Sequence, residues 1–375
     1  MTARPRPLVS VVIKALNEER HIASAIESAL AALDGIDGEV VLADSASTDR
    51  TVAIAKNYPI KIVCMNRIED RSCGAGGQLG YQYSGGDYVC LMDGDMRLYP
   101  DFVAAAIRYL EQNPKVAGVG GLIVEREKQS FEYAKRATSN DPDLRPGEVA
   151  RLDCGGVYRR TAIESVGYLT DCNLHSAEEM ELGARLREKG WTLARINRPA
   201  IDHYGHPGNA FRLLRQRWAS RLAFGMGEIL RTMIGARHSR LMLDQIKRHA
   251  LLLAAVHVWW LCLLAAPLIV RGPLPAAGAM AMLGLFPFAV MSARCRSISL
   301  GIYSVTAWNV YALGIWPGLL QRRVDPRQWI DSSVVWDPRS SADHADAAVN
   351  SSSNEAPRMT KRIAASPLAT IESGS

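Results

Sequence analysis

The chain has 375 residues and a formal net charge of +6, which allows one large globular domain with an added region, or two domains. Its seven cysteines form no CxxC pair, so a zinc knuckle is not expected. Nine Lys or Arg stand against two acidic residues between Arg212 and Arg248. Because almost uncharged residues follow, this basic run favours an anionic membrane surface over nucleic acid as a partner.

The first part of the chain alternates short apolar runs with helical patterns. Such alternation predicts a doubly wound parallel α/β sheet, and ligands bind such sheets at the carboxyl ends of the strands. No secretory signal precedes the first strand, so we expect this part in the cytosol. The predicted strands are 9–13, 39–43, 60–65 and 88–92, and the predicted helices are 18–33, 49–57 and 78–84.

The pattern continues to about residue 210, which we take as the end of the first domain. A helix is predicted over 101–112, a strand over 116–124, a loop over 138–150 and a strand from residue 155. A helix over 177–189, ended by Gly190, precedes a strand over 191–196.

The second part of the chain is predicted to meet a membrane. Residues 211–249 alternate basic and apolar faces, as interfacial helices do. Residues 250–322 contain about three apolar spans, at 250–270, 274–293 and 297–320, each near the roughly 20 residues that a crossing needs. A buried soluble helical domain is the alternative interpretation. Residues 323–375 are expected to form a polar, largely disordered tail.

The orientation of the spans is left open by the basic residues around them. A cytosolic start places Arg294 and Arg296 inside, as the positive-inside rule prefers. Three full crossings would then place Arg322 and Arg323 outside, against that rule. The third span is therefore either a crossing or a re-entrant or interfacial segment.

Carboxylates follow the first two strands. Glu18 lies after the first strand, where it is either a ligand for a ribose or base or a helix cap. Asp44 lies at the end of the second strand, a position from which a carboxylate binds a nucleobase N–H or a ribose hydroxyl.

Two further acidic motifs follow. Asp93-Gly94-Asp95 ends the fourth strand, and its two carboxylates suit Mg²⁺ or Mn²⁺ carrying a diphosphate. Glu178 and Glu179 begin a helix, where acidic residues are common because of the helix dipole. A carboxylate there is also a candidate base for an acceptor hydroxyl.

These motifs together resemble family-2 glycosyltransferases, which have the nucleotide-sugar-binding GT-A fold. The resemblance implies a doubly wound mixed α/β sheet, followed here by C-terminal transmembrane helices. The resemblance covers about residues 8–210. It rests on five pieces in order: VSVVIKALNEE, EVVLADSASTDRT, GGDYVCLMDGDM, CGGVYRR, and SAEEMELGARLREKGW ahead of His203.

The resemblance implies a residue for each step of an inverting sugar transfer. It assigns Glu179, with Glu178 beside it, as the catalytic base. It assigns the divalent metal, Mg²⁺ or Mn²⁺, to Asp95 with Asp93 and His203. Donor binding falls to Glu18, Asp44, Arg71 and Asp93.

The chain departs from the family pattern at several positions. Lys14 stands where the family often has Pro. Gly74–Gly77 replaces a run that contains the usual donor-binding arginine, and Arg71 is the candidate substitute; these glycines lack the Lys-Ser/Thr of a phosphate-binding loop. Arg217 and Trp218 partly match a QxxRW motif of processive synthases, but Leu214 replaces its Gln. Trp218 is thus an acceptor-site residue or an interface anchor.

The sequence therefore predicts a hexosyltransferase-type enzyme (EC 2.4), moving sugar from a UDP- or GDP-sugar to a lipid-linked or glycan acceptor. We expect a multi-pass protein of the inner or plasma membrane, with its catalytic domain in the cytoplasm, acting in exopolysaccharide or cell-surface glycan assembly. The alternatives are a processive polysaccharide synthase, a non-catalytic membrane scaffold and a nucleotidyltransferase. Sugar, base, acceptor and linkage are not encoded in these patterns.

Overall fold

The fold is taken from a computed structural model that describes residues 7–126, 141–153, 155–205 and 209–338. Part of the predicted loop 138–150, Cys154 and the tail beyond residue 338 lie outside the described residues. The elements treated below all belong to one compact unit, Met1–Trp336.

Ten strands of the described chain form one mixed sheet, in the order β10-β3-β2-β1-β4-β8-β6-β9-β5, with β7 also on β9. Strands β1 to β4 pair with one another in parallel, whereas β8 is antiparallel to β4 and β6. The strands are β1 Val9–Ala15, β2 Gly38–Asp44, β3 Lys61–Met65, β4 Tyr88–Asp93, β5 Met96–Leu98, β6 Val116–Glu125, β7 Gly147–Val149, β8 Gly156–Arg159, β9 Thr192–His203 and β10 Ser332–Trp336.

Helices cover both faces of this sheet, and β1, β2 and β4 are almost entirely buried between them. This explains their continuous apolar runs, since a parallel strand covered on both faces has no solvent side. The helices of the sheet domain are α1 Ile22–Ala32, α2 Thr51–Ala55, α3 Cys73–Gln82, α4 Phe102–Gln112, α5 Arg160–Val166 and α6 Glu178–Glu188. The predicted mixed α/β architecture is confirmed.

Helix α3 begins earlier than predicted, and the Gly74–Gly77 run lies inside it. Glycine is a poor helix former, so the predicted helix began only at residue 78. The glycines let α3 pack closely: a Cβ atom on Gly74 would lie 1.9 Å from the carbonyl oxygen of Asp171, and one on Gly80 would lie 2.2 Å from Val12 Cγ1.

Five helices follow the sheet domain: α7 Ala210–Ala219, α8 Gly225–Met233, α9 Ser239–Ile269, α10 Pro273–Cys295 and α11 Ile298–Leu320. The last three are long and apolar enough to cross a membrane, judged by length and composition alone. Helix α9 begins inside the predicted interfacial segment. Helix α8 packs on the sheet domain, where Ile229 shares a buried cluster with Met180 and Ala184 of α6.

Strand β10 comes from residues that the sequence analysis assigned to the polar tail. It pairs antiparallel with β3, with Ser332 opposite Met65, and so lies at one edge of the sheet. Its long separation in sequence from β3 leaves no local signal for this pairing, although the Val334-Val335 pair has the β-branched character of a strand.

Candidate active site

The loops after β1 and β2 form one side of the site and are hydrogen-bonded to each other. The Glu18 amide donates to Thr51 Oγ1 at 2.8 Å, and the Thr48 amide donates to Asn17 Oδ1 at 2.8 Å. Asn17 and Ala46 have left-handed backbone conformations, with φ of 59° and 54°. Non-glycine residues are uncommon there, and such strain is characteristic of functional turns.

Asp44 is buried at the end of β2, as predicted. Its Oδ2 accepts a 2.8 Å hydrogen bond from the Ser47 amide, whereas its buried Oδ1 has no hydrogen-bond partner within the described chain. Burial raises the pKa of this carboxyl, although the Ser47 hydrogen bonds oppose the shift. An unsatisfied buried oxygen is costly, so Asp44 is suited to accept an N–H or O–H from a ligand.

Arg71 hydrogen-bonds the backbone of the loop that follows β2. Its Nε donates to the Ser45 carbonyl at 2.7 Å and its Nη2 donates to the Ala46 carbonyl. These contacts hold the loop that follows Asp44. The predicted contact of Arg71 with a donor stays a prediction.

The Asp93-Gly94-Asp95 turn lies directly against Glu18. A Cβ atom on Gly94 would lie 2.9 Å from Glu18 Cγ, so the glycine permits this approach. Burial, followed by the charges of Asp95 and Asp93, raises the pKa of Glu18 to about 9. The site thus concentrates carboxylates that repel one another.

His203 joins the same cluster because β5 pairs with β9 and places Met96 opposite His203. Its Nε2 lies 3.5 Å from Asp95 Oδ2, and its Nδ1 lies 2.6 Å from Glu125 Oε2. Burial lowers the pKa of His203, but hydrogen bonds to Asp95 and Glu125 outweigh it and raise the pKa to about 9. Glu125 was not predicted, because it lies at the end of a strand with no motif around it.

The carboxylates of this cluster fit a divalent cation by donor chemistry. Oxygen ligands suit Mg²⁺ and Mn²⁺, and a cation would relieve the mutual repulsion that raises the Glu18 pKa. In the described ranges, no group of three or more His, Cys, Asp or Glu side chains is arranged as a complete metal site. Asp95 and its neighbours would therefore share a bound cation with the diphosphate oxygens of a nucleotide-sugar.

Helix α6 carries the predicted base. Ala177, directly before the helix, has a left-handed φ of 63°, and the Glu179 side chain is buried. Glu179 Oε2 has no hydrogen-bond partner among the described residues. Burial raises the pKa of Glu179 well above its ordinary value, Glu178 raises it further, and Lys14 opposes the shift. In its deprotonated form, a carboxylate with a raised pKa is a stronger base than an ordinary glutamate, so Glu179 stays a candidate for proton abstraction.

Lys14 connects the two sides of the site. Its Nζ lies 2.9 Å from Asp93 Oδ1 and 2.9 Å from Glu178 Oε1. Burial lowers the pKa of Lys14, but the nearby carboxylates raise it well above its ordinary value, so the ammonium stays charged. In the sequence, Lys14 stands out only as a departure from the family pattern; a lysine at a strand end among acidic motifs was the available signal.

The loop before α6 is held by elements from the C-terminal half of the chain. The fully buried Glu228 of α8 accepts from the His175 amide at 2.8 Å and contacts His175 Nδ1 at 2.7 Å. Arg323, beyond α11, donates to Asp171 Oδ2 at 3.1 Å. Neither residue was predicted, since both lie in segments assigned to the membrane surface or the tail.

Arg217 and Trp218 lie on α7 and contact the apolar helices. Arg217 Nη1 donates to the Tyr311 hydroxyl at 2.9 Å, and Trp218 packs edge-on against Phe224, with ring centroids 5.1 Å apart. Trp218 remains 40% exposed, which suits an interface anchor.

Comparison with known proteins defines the class. Residues 10–167 match the family model described as "Glycosyl transferase family 2". The structure aligns with a Pyrobaculum calidifontis mannosyltransferase solved with GDP-Man and Mn²⁺, at a TM-score of 0.52 and 19% identity, over 83% of this chain and 88% of the other. That likeness shows the GT-A fold.

Two curated relatives extend the comparison. EpsE of Bacillus subtilis (strain 168), named as a glycosyltransferase, is 28% identical over 49% of this chain and 68% of its own length. The undecaprenyl-phosphate 4-deoxy-4-formamido-L-arabinose transferase of Pectobacterium carotovorum subsp. carotovorum (strain PC1) is 28% identical over 45% of this chain. The chain spans 53% of that relative's length.

The sheet order and its carboxylate edge define a GT-A glycosyltransferase domain. Its residues 10–167 match glycosyl transferase family 2, the family that the motifs of the chain resemble.

Proposed function

We propose that the protein transfers a sugar from a nucleoside-diphosphate sugar to a hydroxyl or phosphate oxygen of a lipid-linked acceptor, with inversion at the anomeric carbon. The observation that carries this proposal is the buried Glu179 carboxylate, whose Oε2 has no hydrogen-bond partner among the described residues. The neighbouring Glu178 is linked through Lys14 to Asp93 at the end of β4.

In this mechanism Glu18 and Asp44 orient the nucleoside, because both are buried at the carboxyl ends of β1 and β2. Asp95, with Asp93 and His203 as further candidates, would hold the divalent cation. When bound, that cation neutralises charge on the departing diphosphate.

Glu179 then takes the proton of an acceptor hydroxyl. The acceptor oxygen forms its bond to the anomeric carbon as the bond to the diphosphate oxygen breaks, and the bonding pair leaves with the nucleoside diphosphate. A single displacement of this kind inverts the anomeric configuration. An acceptor phosphate would arrive ionised and need no base, so dependence on Glu179 distinguishes the two acceptor types.

The acceptor and the cellular location follow from other observations. Three helices are long and apolar enough to cross a membrane, and the basic α7 precedes them. The Pectobacterium relative is named for a polyprenyl-phosphate acceptor. We therefore place the protein in the inner or plasma membrane, with the transferase domain on the cytoplasmic face, acting in exopolysaccharide or other cell-surface glycan assembly.

A donor screen with membranes that contain the protein tests the proposal. Release of nucleoside diphosphate is measured for UDP- and GDP-sugars with and without Mn²⁺. We expect one donor class to give Mn²⁺-dependent release, which Asp95→Ala abolishes while Asp34→Ala, an exposed carboxylate between α1 and β2, leaves it intact. Full activity of Asp95→Ala would refute the assigned role of Asp95, and no release with any donor would refute the transfer reaction.

A further inference from the structure

The chain leaves the sheet before the apolar helices and returns to the same sheet after them. Strand β10 pairs with β3, and the Asn66 amide donates to the Asp331 carbonyl at 3.1 Å. Before the apolar helices, Glu228 of α8 contacts His175; after them, the Val324 amide donates to Asn173 Oδ1 at 2.8 Å. Both ends of the helical region are therefore attached to one folded body.

This attachment limits the number of membrane crossings. Each full crossing moves the chain to the opposite side, and a soluble sheet with polar loops cannot straddle the bilayer. Helices α9, α10 and α11 follow one another with only Val270–Gly272 and Arg296–Ser297 between them. Three crossings would place β10 on the side opposite β3. At most two of the three helices can cross.

Helix α11 is distinguished from the other two by what it contacts. Tyr303 packs edge-on against Phe211 of α7, with ring centroids 5.5 Å apart, and the Tyr311 hydroxyl accepts from Arg217 at 2.9 Å. Further along, a Cβ atom on Gly314 would lie 2.2 Å from the Ala223 carbonyl oxygen, and one on Gly318 would lie 2.3 Å from that of Phe224.

The contacts of α11 follow the chain in the same direction on both sides. They run from residue 303 against residue 211 to residue 318 against residue 224. Helix α11 thus runs beside α7 and the Leu222–Phe224 turn over most of its length. Exposed arginines on α7, Arg212 and Arg215, keep that helix out of hydrocarbon, because a charged side chain there is costly. The side of α11 that packs against α7 therefore lies at the depth of α7. Its other side contacts α9, where Trp260 Nε1 donates to Asn309 Oδ1 at 2.7 Å.

The other two helices are suited to cross. They expose large apolar side chains to the surroundings, among them Leu264 and Leu268 of α9 and Leu285 and Phe286 of α10. Of the most apolar 18-residue stretch of each helix, 33% is buried inside the protein in α11, against 17% in α9 and 6% in α10. The end of α10 carries Arg294 and is followed by Arg296, whereas the turn between α9 and α10 carries only Arg271. The positive-inside rule therefore favours the cytoplasmic side for the end of α10.

We propose that α9 and α10 cross the membrane as a hairpin, and that α11 lies with α7 along the cytoplasmic membrane surface, where the exposed Arg212 and Arg215 of α7 face the lipid headgroups. This inference rests on the membrane location proposed above. It places both ends of α11, and strand β10 after it, on the side of the transferase domain.

Site-specific labelling of the full-length protein in sealed vesicles tests the proposal. Cysteines are introduced singly at four exposed positions: Asp34 in the sheet domain, Arg271 between α9 and α10, Ser299 at the start of α11, and Asp325 after α11. A membrane-impermeant maleimide is applied to right-side-out and to inverted vesicles, and labelled sites are identified by mass spectrometry, with the native cysteines of the sheet as internal controls.

We expect D34C, S299C and D325C to be labelled in inverted vesicles and R271C in right-side-out vesicles. Labelling of D325C opposite D34C would show three crossings and overturn the proposal. Labelling of S299C opposite D34C, or of R271C on the same side as D34C, would show a different crossing pair or none, and would overturn it as well. A carbonate wash of the same membranes measures separately whether the protein is inserted in the membrane. Failure of the proposed membrane location is thereby distinguished from failure of the proposed topology.

Discussion

The two sides of the active site are held in place in different ways. The side that carries Glu18 and Asp44 is built from neighbouring loops of the first sixty residues, which hydrogen-bond to each other. The side that carries Glu179 is held by long-range contacts, from Lys14 of β1, Glu228 of α8 and Arg323 beyond α11. The proposed donor side is thus built by the sheet, whereas the position of the proposed base Glu179 depends on the helical region.

The largest effect expected within this comparison comes from the base itself. Glu179→Gln keeps the size of the side chain and removes its ability to take a proton, so kcat with a hydroxyl acceptor should fall by about 10²–10⁴-fold. Donor affinity, measured by calorimetry, should be unchanged, because the donor side is built independently. Glu188→Gln, an exposed position at the end of the same helix, is the matched control. A kcat near that of the control would remove Glu179 from the reaction.

Lys14→Met should have the next largest effect, because the substitution removes the ammonium that links the two sides of the active site. The variant leaves Asp93 and Glu178 without their shared counter-charge, and removing one partner of a buried ion pair costs about 3–5 kcal/mol. We expect kcat to fall by about 100-fold or more, with thermal stability lowered, whereas Lys61→Met, at the first residue of β3, leaves kcat unchanged. Hydrogen exchange at the first turn of α6 should rise in Lys14→Met; unchanged exchange there would argue against the tether.

Glu228→Ala tests whether the helical region positions the base. The substitution leaves the His175 amide and ring without their buried acceptor, at a cost of about 1–3 kcal/mol. We expect kcat to fall while donor affinity persists, since Glu228 contacts the loop before α6 and not the donor loops. Asp244→Ala, on the exposed side of α9, is the control. An equal loss of donor affinity would show that the two sides are not separable.

The pH dependence of kcat should report the raised pKa of Glu179. Burial, Glu178, Asp153 and Asp93 all raise this pKa, and Lys14 lowers it. A base works only when deprotonated, so kcat at saturating donor should rise with pH until it passes the raised pKa. An ordinary glutamate, with a pKa of about 4.3, would give a flat profile between about pH 6 and 8. A flat profile in that range would therefore contradict the raised pKa.

The smallest effect is expected from Gly76→Ala. Its Cβ atom would meet Ser45 Oγ at 3.5 Å and Lys14 Cβ at 3.6 Å, which are ordinary contacts, and alanine favours a helix by about 1 kcal/mol over glycine. The melting temperature should stay the same or rise. Gly74→Ala, in the same helix, would meet a backbone carbonyl at 1.9 Å and should lower it. Equal effects of the two substitutions would contradict the close packing of α3.

The sequence predicted the elements whose signals are local. Strands β1 to β4 and the carboxylates at their ends were recognisable because buried parallel strands read as apolar runs and their acidic ends fall at one edge of the sheet. Helix α3 began earlier than predicted because its glycines hide helical character. Lys14, Glu125 and Glu228 were missed as site residues because each acts through a partner at least 50 residues away in sequence.

Strand β10 also has a consequence for how the protein can be divided. A fragment that stops before the apolar helices would lack β10 and would expose the backbone of β3 as a free sheet edge, a template for pairing with other chains. It would also lack Val324 and Arg323, the partners of Asn173 and Asp171. The catalytic domain is therefore not a segment of sequence, and a soluble version of it would need β10 rejoined to the sheet through a short linker.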